Sequence, residues 1–435
     1  MELYERALEL IPGATQLISR RPAMYAHGVS PVYADRAKGA RFWDVDGNEY
    51  IDWCSGIRAI ILGYADPVVD EAVHAQLDLG TTYSINHEVE LELAEELVLT
   101  IPCAEMVRYA KGGGEACTIA VRIARGMTGR DKILFCGYHG WHDWYLAANL
   151  SGETSLNEHL LPNIEPAGVP KGLEGTAIPF PYGDLDALGE ALDANRGEVA
   201  AVMLEPMRSE MPPEGYLEGV AQLAREHDAL LIYDEVSTGF RLSPGGVQPV
   251  LGVLPDLAVF AKSISNGYSM GAVVGRRDVM EPVARMFISS TYWSDTIGIR
   301  AALTTLREIR RRDIPGHLDK VGGELKAGLN EIAKETGLAV SCVGVNVNSA
   351  LKFEIEDPVL LKKTATLFIQ EMAKRGCHGY ASFAPNGATG PAELEQTFTA
   401  ARETFTILEE GLRTNRIDEL LECEIQQAIF RRMVQ

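Results

Sequence analysis

Lys262 ends the apolar run "LAVFA" in the stretch "LAVFAKSISNGYSMG". A lysine at the end of a buried strand has its ammonium destabilised, so its free amine becomes available as a nucleophile. Asp234, 28 residues earlier in "ALLIYDEVSTGFR", follows four apolar residues in the same kind of setting. A buried carboxylate is costly unless it meets a cation or several donors. The third feature is Gly112-Gly113-Gly114 in "RYAKGGGEACTIAVRIARG", where a short strand pattern runs into a helical one. Consecutive glycines at a helix N-terminus let backbone N–H groups approach an anion, and the helix dipole favours that anion. Each feature also has a bland reading: a snorkelling lysine, a structural ion pair, a flexible turn.

The surrounding pattern decides whether the three can meet. From about residue 100 to 280, apolar runs ("MVRYA", "KILFC", "VAAVML", "ALLIY", "LAVFA", "AVVG") alternate with helical stretches such as Glu115–Met127 and Leu217–Glu226. That alternation predicts a doubly wound, mostly parallel sheet. Ligands of such sheets bind outside the carboxyl ends of the strands, where all three features fall. A nucleophilic lysine, a buried carboxylate and a phosphate cradle are together what pyridoxal phosphate (PLP) requires.

Toward the ends of the chain the pattern changes. Leu3, Ala7, Leu10 and Ile11 give an opening helix one apolar face, stopped by Pro12-Gly13. "ARFWDVDGNEYIDW" alternates around Asp46-Gly47, a tight-hairpin signal. Beyond about residue 300 helices dominate, one with Leu318, Val321, Leu325, Leu329 and Ile332 on a face, another with Leu394, Phe398, Ala401, Phe405, Leu408 and Leu412. The simplest architecture is α/β: a large cofactor domain at 59–299 and a smaller α+β domain from 1–58 and 300–435.

Composition narrows the partners. The 435 residues are 46% hydrophobic and 23% charged, with a formal net charge of -21, which disfavours nucleic acid and anionic membrane surfaces. No apolar run reaches the length of a membrane span, and the acidic start "MELYERALELIPG" lacks the basic region of a signal peptide. Seven scattered cysteines without a CxxC pair argue against disulfides and a zinc site, and a reducing cytoplasm is expected. His139 and His142 have no third ligand at metal spacing, so no metal is expected there.

The chain resembles the class III PLP-dependent aminotransferases of fold type I, especially the branch around glutamate-1-semialdehyde 2,1-aminomutase. The stretches that carry the resemblance are "RAKGARFWDVDGNEYIDW", "GGGEACTIAVRIARGMTGRDKI", "GYHGWHD", "LEPM", "GYLEGVAQLAREHDALLIYDEVSTGFR", "DLAVFAKSISNGYSMGAVVGRRDVM" and "STYWSDTIGIRAAL". The resemblance implies that Lys262 is the Schiff-base lysine and Asp234 the partner of the cofactor's ring nitrogen. It places Val236 and Tyr138 on the two faces of the ring, Gly113 and Gly114 in the phosphate loop, and Glu205 near the cofactor. It implies that Thr291 reaches the phosphate of a neighbouring subunit, hence a homodimer with shared sites. The activity implied is transfer of an amino group between a small-molecule amine and a small carbonyl acceptor, by a ping-pong mechanism.

The departures bear on substrate and loop. Glycines replace the usual Ser-Gly-Thr of the phosphate loop, so phosphate binding falls to backbone N–H groups and Thr291. Ser237 stands where glutamine or methionine is common. "EPMRSEM" puts Arg208 and Glu210 where the aminomutase branch has small or amide residues, and Arg58 lies in a segment lining the mouth of the site in relatives. "ASFAPNGATGPAEL" lacks the arginine with which ornithine-type members meet a carboxylate. An acidic acceptor gripped by Arg58 or Arg208 is expected; alternatively each arginine pairs with a neighbour such as Glu210. Other readings are an intramolecular aminomutase, a lyase or racemase on the same cofactor, and a cofactor-less relative. A nucleotide-dependent oxidoreductase would need GxGxxG and an acidic ribose partner, which are absent.

Overall fold

The computed structural model describes residues 2–152, 155–156 and 164–426. Met1 and residues 427–435, counted above in the smaller domain, lie outside that range. The chain divides into two compact units, one of residues up to Asp66 together with those from Gly316, the other spanning Pro67–Pro315.

The Pro67–Pro315 unit is built on a sheet of seven strands among the described residues: β1 (Met106–Ala110), β2 (Lys132–Cys136), β3 (Ala177–Pro179), β4 (Val199–Leu204), β5 (Leu230–Asp234), β6 (Leu257–Phe260) and β7 (Gly271–Gly275). Their order is β1-β7-β6-β5-β4-β2-β3, and only β7 runs antiparallel to its neighbours. Buried on both faces, β4, β6 and β7 are apolar or glycine throughout, as central strands of a covered sheet must be. The helices α1 (Gly113–Thr128), α2 (Leu185–Ala194), α3 (Tyr216–Glu226) and α4 (Thr296–Arg311) follow in chain order. On α1, Ala116, Ile119, Ala120, Ile123 and Ala124 are buried against the sheet, a stripe at helical spacing. Strand β3 was missed there: three residues are too few for a periodic signal.

In the other unit, Arg41–Asp44 pairs antiparallel with Glu49–Asp52 across a turn where Gly47 has φ 88°, as the Asp-Gly signal predicts. Cys377–His378 adds to this sheet in parallel with Glu49–Asp52, and Val340–Val345, Asn348–Phe353 and Ser382–Phe383 form a second sheet. Leu318, Leu325, Leu329, Ala401, Phe405 and Leu408 are buried, as their helical spacing requires. The opening helix Glu2–Leu10 forms, but its expected apolar face is only partly covered among the described residues: Ala7 and Ile11 are half-buried, whereas Leu3 is exposed and Leu10 is 79% exposed.

Candidate active site

The strand order makes β5 and β6 parallel neighbours, with Asp234 paired to Val259. Both chains then leave the sheet at the same end. Asp234, the last residue of β5, is 3% exposed. It is stabilised there by donors: Val236 N–H donates to Oδ1 at 2.9 Å, and Oδ2 accepts from His139 Nδ1 at 2.8 Å and Cys117 Sγ at 3.4 Å. Because a carboxylate only accepts, His139 carries its proton on Nδ1, and its buried Nε2 has no partner among the described residues. Burial, and then the Asp234 charge, raise the Cys117 thiol well above its ordinary range, so it remains an S–H donor.

Lys262 follows β6 after Ala261 and opens a short 3-10 turn, Lys262–Ser265. Its φ is 50°, in the left-handed region that a lysine rarely occupies, which marks a backbone shaped by its surroundings. The ammonium donates to Ser237 Oγ at 2.7 Å. Ser237 lies on the turn after β5, and that turn is anchored from below by Glu235. The Glu235 carboxylate is fully buried and accepts from Val247 N–H at 2.7 Å and Gln248 Nε2 at 3.0 Å. Burial pushes its carboxyl up to about 7.

Gly112 caps α1, and a Cβ added there would meet no atom within 4 Å. A Cβ on Gly113 would sit 2.7 Å from Val236 Cγ1, and one on Gly140 2.6 Å from Gly114 Cα. The glycines therefore let the helix terminus, the Val236 turn and the "YHG" loop come together. Lys111, just ahead of them, pairs with Asp295 at 2.9 Å. Tyr138 is 37% exposed, and burial of the remainder raises its phenol. Glu205 follows β4, accepts from Tyr138 N–H at 3.5 Å and faces Arg208 Nε at 3.9 Å. Gly137, with φ 121°, is needed here, since a Cβ would fall 2.8 Å from Glu205 Oε2.

The candidate substrate residues have other company. Arg208 donates to Cys136 Sγ at 3.2 Å and lies over the Tyr182 ring at 4.9 Å; its carboxylate neighbour is Glu205, while Glu210 is exposed. Arg58 belongs to the other unit and donates to Asn348 Oδ1 at 2.7 Å. Thr291 is exposed at the start of the turn Thr291–Ser294. His142 precedes the short helix Asp143–Leu146 and contacts the Trp141 ring instead of sharing a ligand position with His139. Cys117, His139 and Asp234 do bring three potential ligand atoms within 4.8 Å of one another, a grouping that sequence spacing did not suggest; the hydrogen bonds on Asp234 already knit it together.

Comparison with known proteins supplies the class. Residues 24–362 match the family model "Aminotransferase class-III", and the chain belongs to that family. It is thus an enzyme of fold type I that depends on PLP. It is 35% identical to the 3-aminobutyryl-CoA aminotransferase of Cloacimonas acidaminovorans over 419 residues, which cover 93% of this chain and 96% of that one. It is 40% identical to the glutamate-1-semialdehyde 2,1-aminomutase of Methanocaldococcus jannaschii over 320 residues, 72% of this chain and 73% of that one. Among solved structures, the PLP form of the FumI protein from Sphingopyxis sp. MTA144 superposes with a TM-score of 0.87 at 25% identity, covering 98% of this chain and 99% of that one. No helix among the described residues is long and apolar enough to cross a membrane.

Proposed function

We propose that the protein moves an amino group from an amine donor to a small carbonyl acceptor in two half-reactions, with Lys262 as the residue that holds the cofactor. One observation carries this reading: the Lys262 amine and the buried Asp234 carboxylate leave adjacent parallel strands at the same end. The residues present fit the cofactor. The open glycine terminus of α1 is a cradle for a phosphate, with N–H groups of Gly113 and Gly114 as donors. Asp234 is an anion suited to a protonated ring nitrogen, and Val236 and Tyr138 are suited to the two ring faces.

When bound, PLP supplies an electrophilic carbonyl and an electron-withdrawing ring. Lys262 would provide the nucleophilic amine and, when its Nζ is free, would take up and return a proton there. The Asp234 carboxylate, held in place by its donors His139, Cys117 and Val236, would favour a protonated ring nitrogen in a bound cofactor. Glu205 orients the loop that bears Tyr138. Thr291 is assigned to the phosphate of a second copy, so the working enzyme is a homodimer with shared sites.

For the acceptor we propose an anionic carbonyl compound, with Arg208 or, alternatively, Arg58 as the candidate cation and Glu210 as a further candidate residue. The 3-aminobutyryl-CoA relative argues for including 3-oxoacyl thioesters alongside keto acids in any screen. The aminomutase relative supports a second reading, an intramolecular 2,1-shift without a separate donor. Enzyme treated with an amine donor and desalted distinguishes the two. Transfer predicts one equivalent of carbonyl product per site and return of the original spectrum with an added acceptor. Isomerisation of a single substrate, with no stable donor product, would overturn it.

A further inference from the structure

We propose that Ser237 is the positioning residue for Lys262, its hydroxyl holding the lysine amine whenever that amine is not bonded to the cofactor. This deepens the aminotransferase reading and rests on Lys262 being the cofactor lysine.

The two side chains meet because of register. Asp234 pairs with Val259 across β5 and β6; Ser237 lies three residues beyond the first and Lys262 three beyond the second. Matched offsets bring a short, stiff hydroxyl opposite a long, flexible amine, 2.7 Å apart. The serine is the fixed member. Its turn is anchored by Val236 N–H on Asp234, by Glu235 on Val247 and Gln248, and by Gly239 N–H on the Glu235 carbonyl at 2.8 Å. A lysine must give up considerable rotamer freedom to act from one place, and an immobile partner reduces the number of places available.

A hydroxyl suits both states of the amine. Its oxygen accepts from the ammonium, and its proton can be donated to the lone pair of the neutral amine. The glutamine or methionine common at this position in similar sequences is larger, and methionine has no O–H to donate. Titratable groups around the pair include Cys117 of α1, which feels the Lys262 charge, Asp234, which accepts a hydrogen bond from that thiol, and Tyr138, which feels both. All three remain in a Ser237 variant.

The experiment compares wild type, Ser237→Ala and Ser237→Thr. In cofactor-free protein, the pH midpoint for acylation of Lys262 by acetic anhydride is read by peptide mass spectrometry. Loss of an acceptor from the ammonium should lower that midpoint in Ser237→Ala by up to about one pH unit, with Thr restoring it. In loaded enzyme, the single-turnover rate ratio for protiated against α-deuterated donor should rise in Ser237→Ala, with cofactor affinity unchanged. A midpoint and isotope ratio identical to wild type, or no rescue by Thr, would overturn the proposal. Borohydride reduction of each loaded protein keeps the two levels apart. A cofactor adduct on Lys262 with midpoint and isotope ratio both unmoved refutes the role of Ser237 alone, whereas an adduct on another lysine overturns the reading beneath it as well.

Discussion

A methyl group added at Gly113 tests how closely the phosphate cradle is built against the rest of the site. The new Cβ would lie 2.7 Å from Val236 Cγ1 and 3.0 Å from Cγ2, so the valine must move. Val236 cannot move freely, because its own N–H is held by Asp234 at 2.9 Å. Overpacking of this kind costs about 1–3 kcal/mol, or roughly a five- to 150-fold loss of cofactor affinity if the strain is felt in the bound state. Two neighbours calibrate the claim. Gly112→Ala should be nearly neutral, since its φ of -157° is ordinary extended backbone and nothing lies within 4 Å of the new Cβ. Gly140→Ala should be the worst of the three. Its Cβ would meet backbone, Gly114 Cα at 2.6 Å, from a φ of 106° that alanine rarely adopts. Fluorescence titration of cofactor-free protein gives the affinities, and melting without cofactor separates folding from binding. Wild-type affinity in Gly113→Ala, or a larger loss at Gly112 than at Gly140, would refute the reasoning.

Asp234→Asn should reduce kcat on the order of a hundredfold or more, as for other removed transition-state charges, with a smaller change in cofactor affinity; steady-state kinetics beside binding titration checks this. Mixing Lys262→Ala with Thr291→Ala protomers, each inactive alone, should restore some activity in verified mixed dimers, since one of the two sites then carries neither change. Glu235 should impose a pH dependence on stability. Its folded carboxyl titrates at about 7 against 4.5 unperturbed, so between those values the folded state holds the extra proton and stability falls as pH rises. Denaturation at about pH 5 and about pH 8 should show that fall in wild type and a flatter profile in Glu235→Gln.

The residues that carry chemistry were legible because burial and charge are hard to reconcile: an aspartate or lysine at the end of an apolar run needs a reason. The strands that deliver them were legible for the same cause, apart from the three-residue β3. What surrounds them was not. His139 and Cys117 reach Asp234 from 95 and 117 residues away, and no periodicity encodes such distances. The left-handed backbone of Lys262 carries no glycine or asparagine to announce it. Ser237 appeared only as a departure from a family pattern; the strand register turned it into a contact. For Arg208 the nearby glutamate in sequence was a poor guide, since Glu205 lies across from it and Glu210 faces solvent. The Glu2–Leu10 helix shows the converse, a helix read correctly whose apolar face is only half-covered among the described residues.

The central claim is that Lys262 is the residue that holds the cofactor, and reductive trapping tests it most directly. Purified enzyme saturated with PLP is reduced with borohydride, digested and mapped by mass spectrometry, beside Lys262→Ala treated identically. The account predicts one modified peptide, bearing the cofactor on Lys262, and none in the variant. Modification of another lysine, such as Lys111 ahead of the glycine cradle, with Lys262 left free, would contradict it.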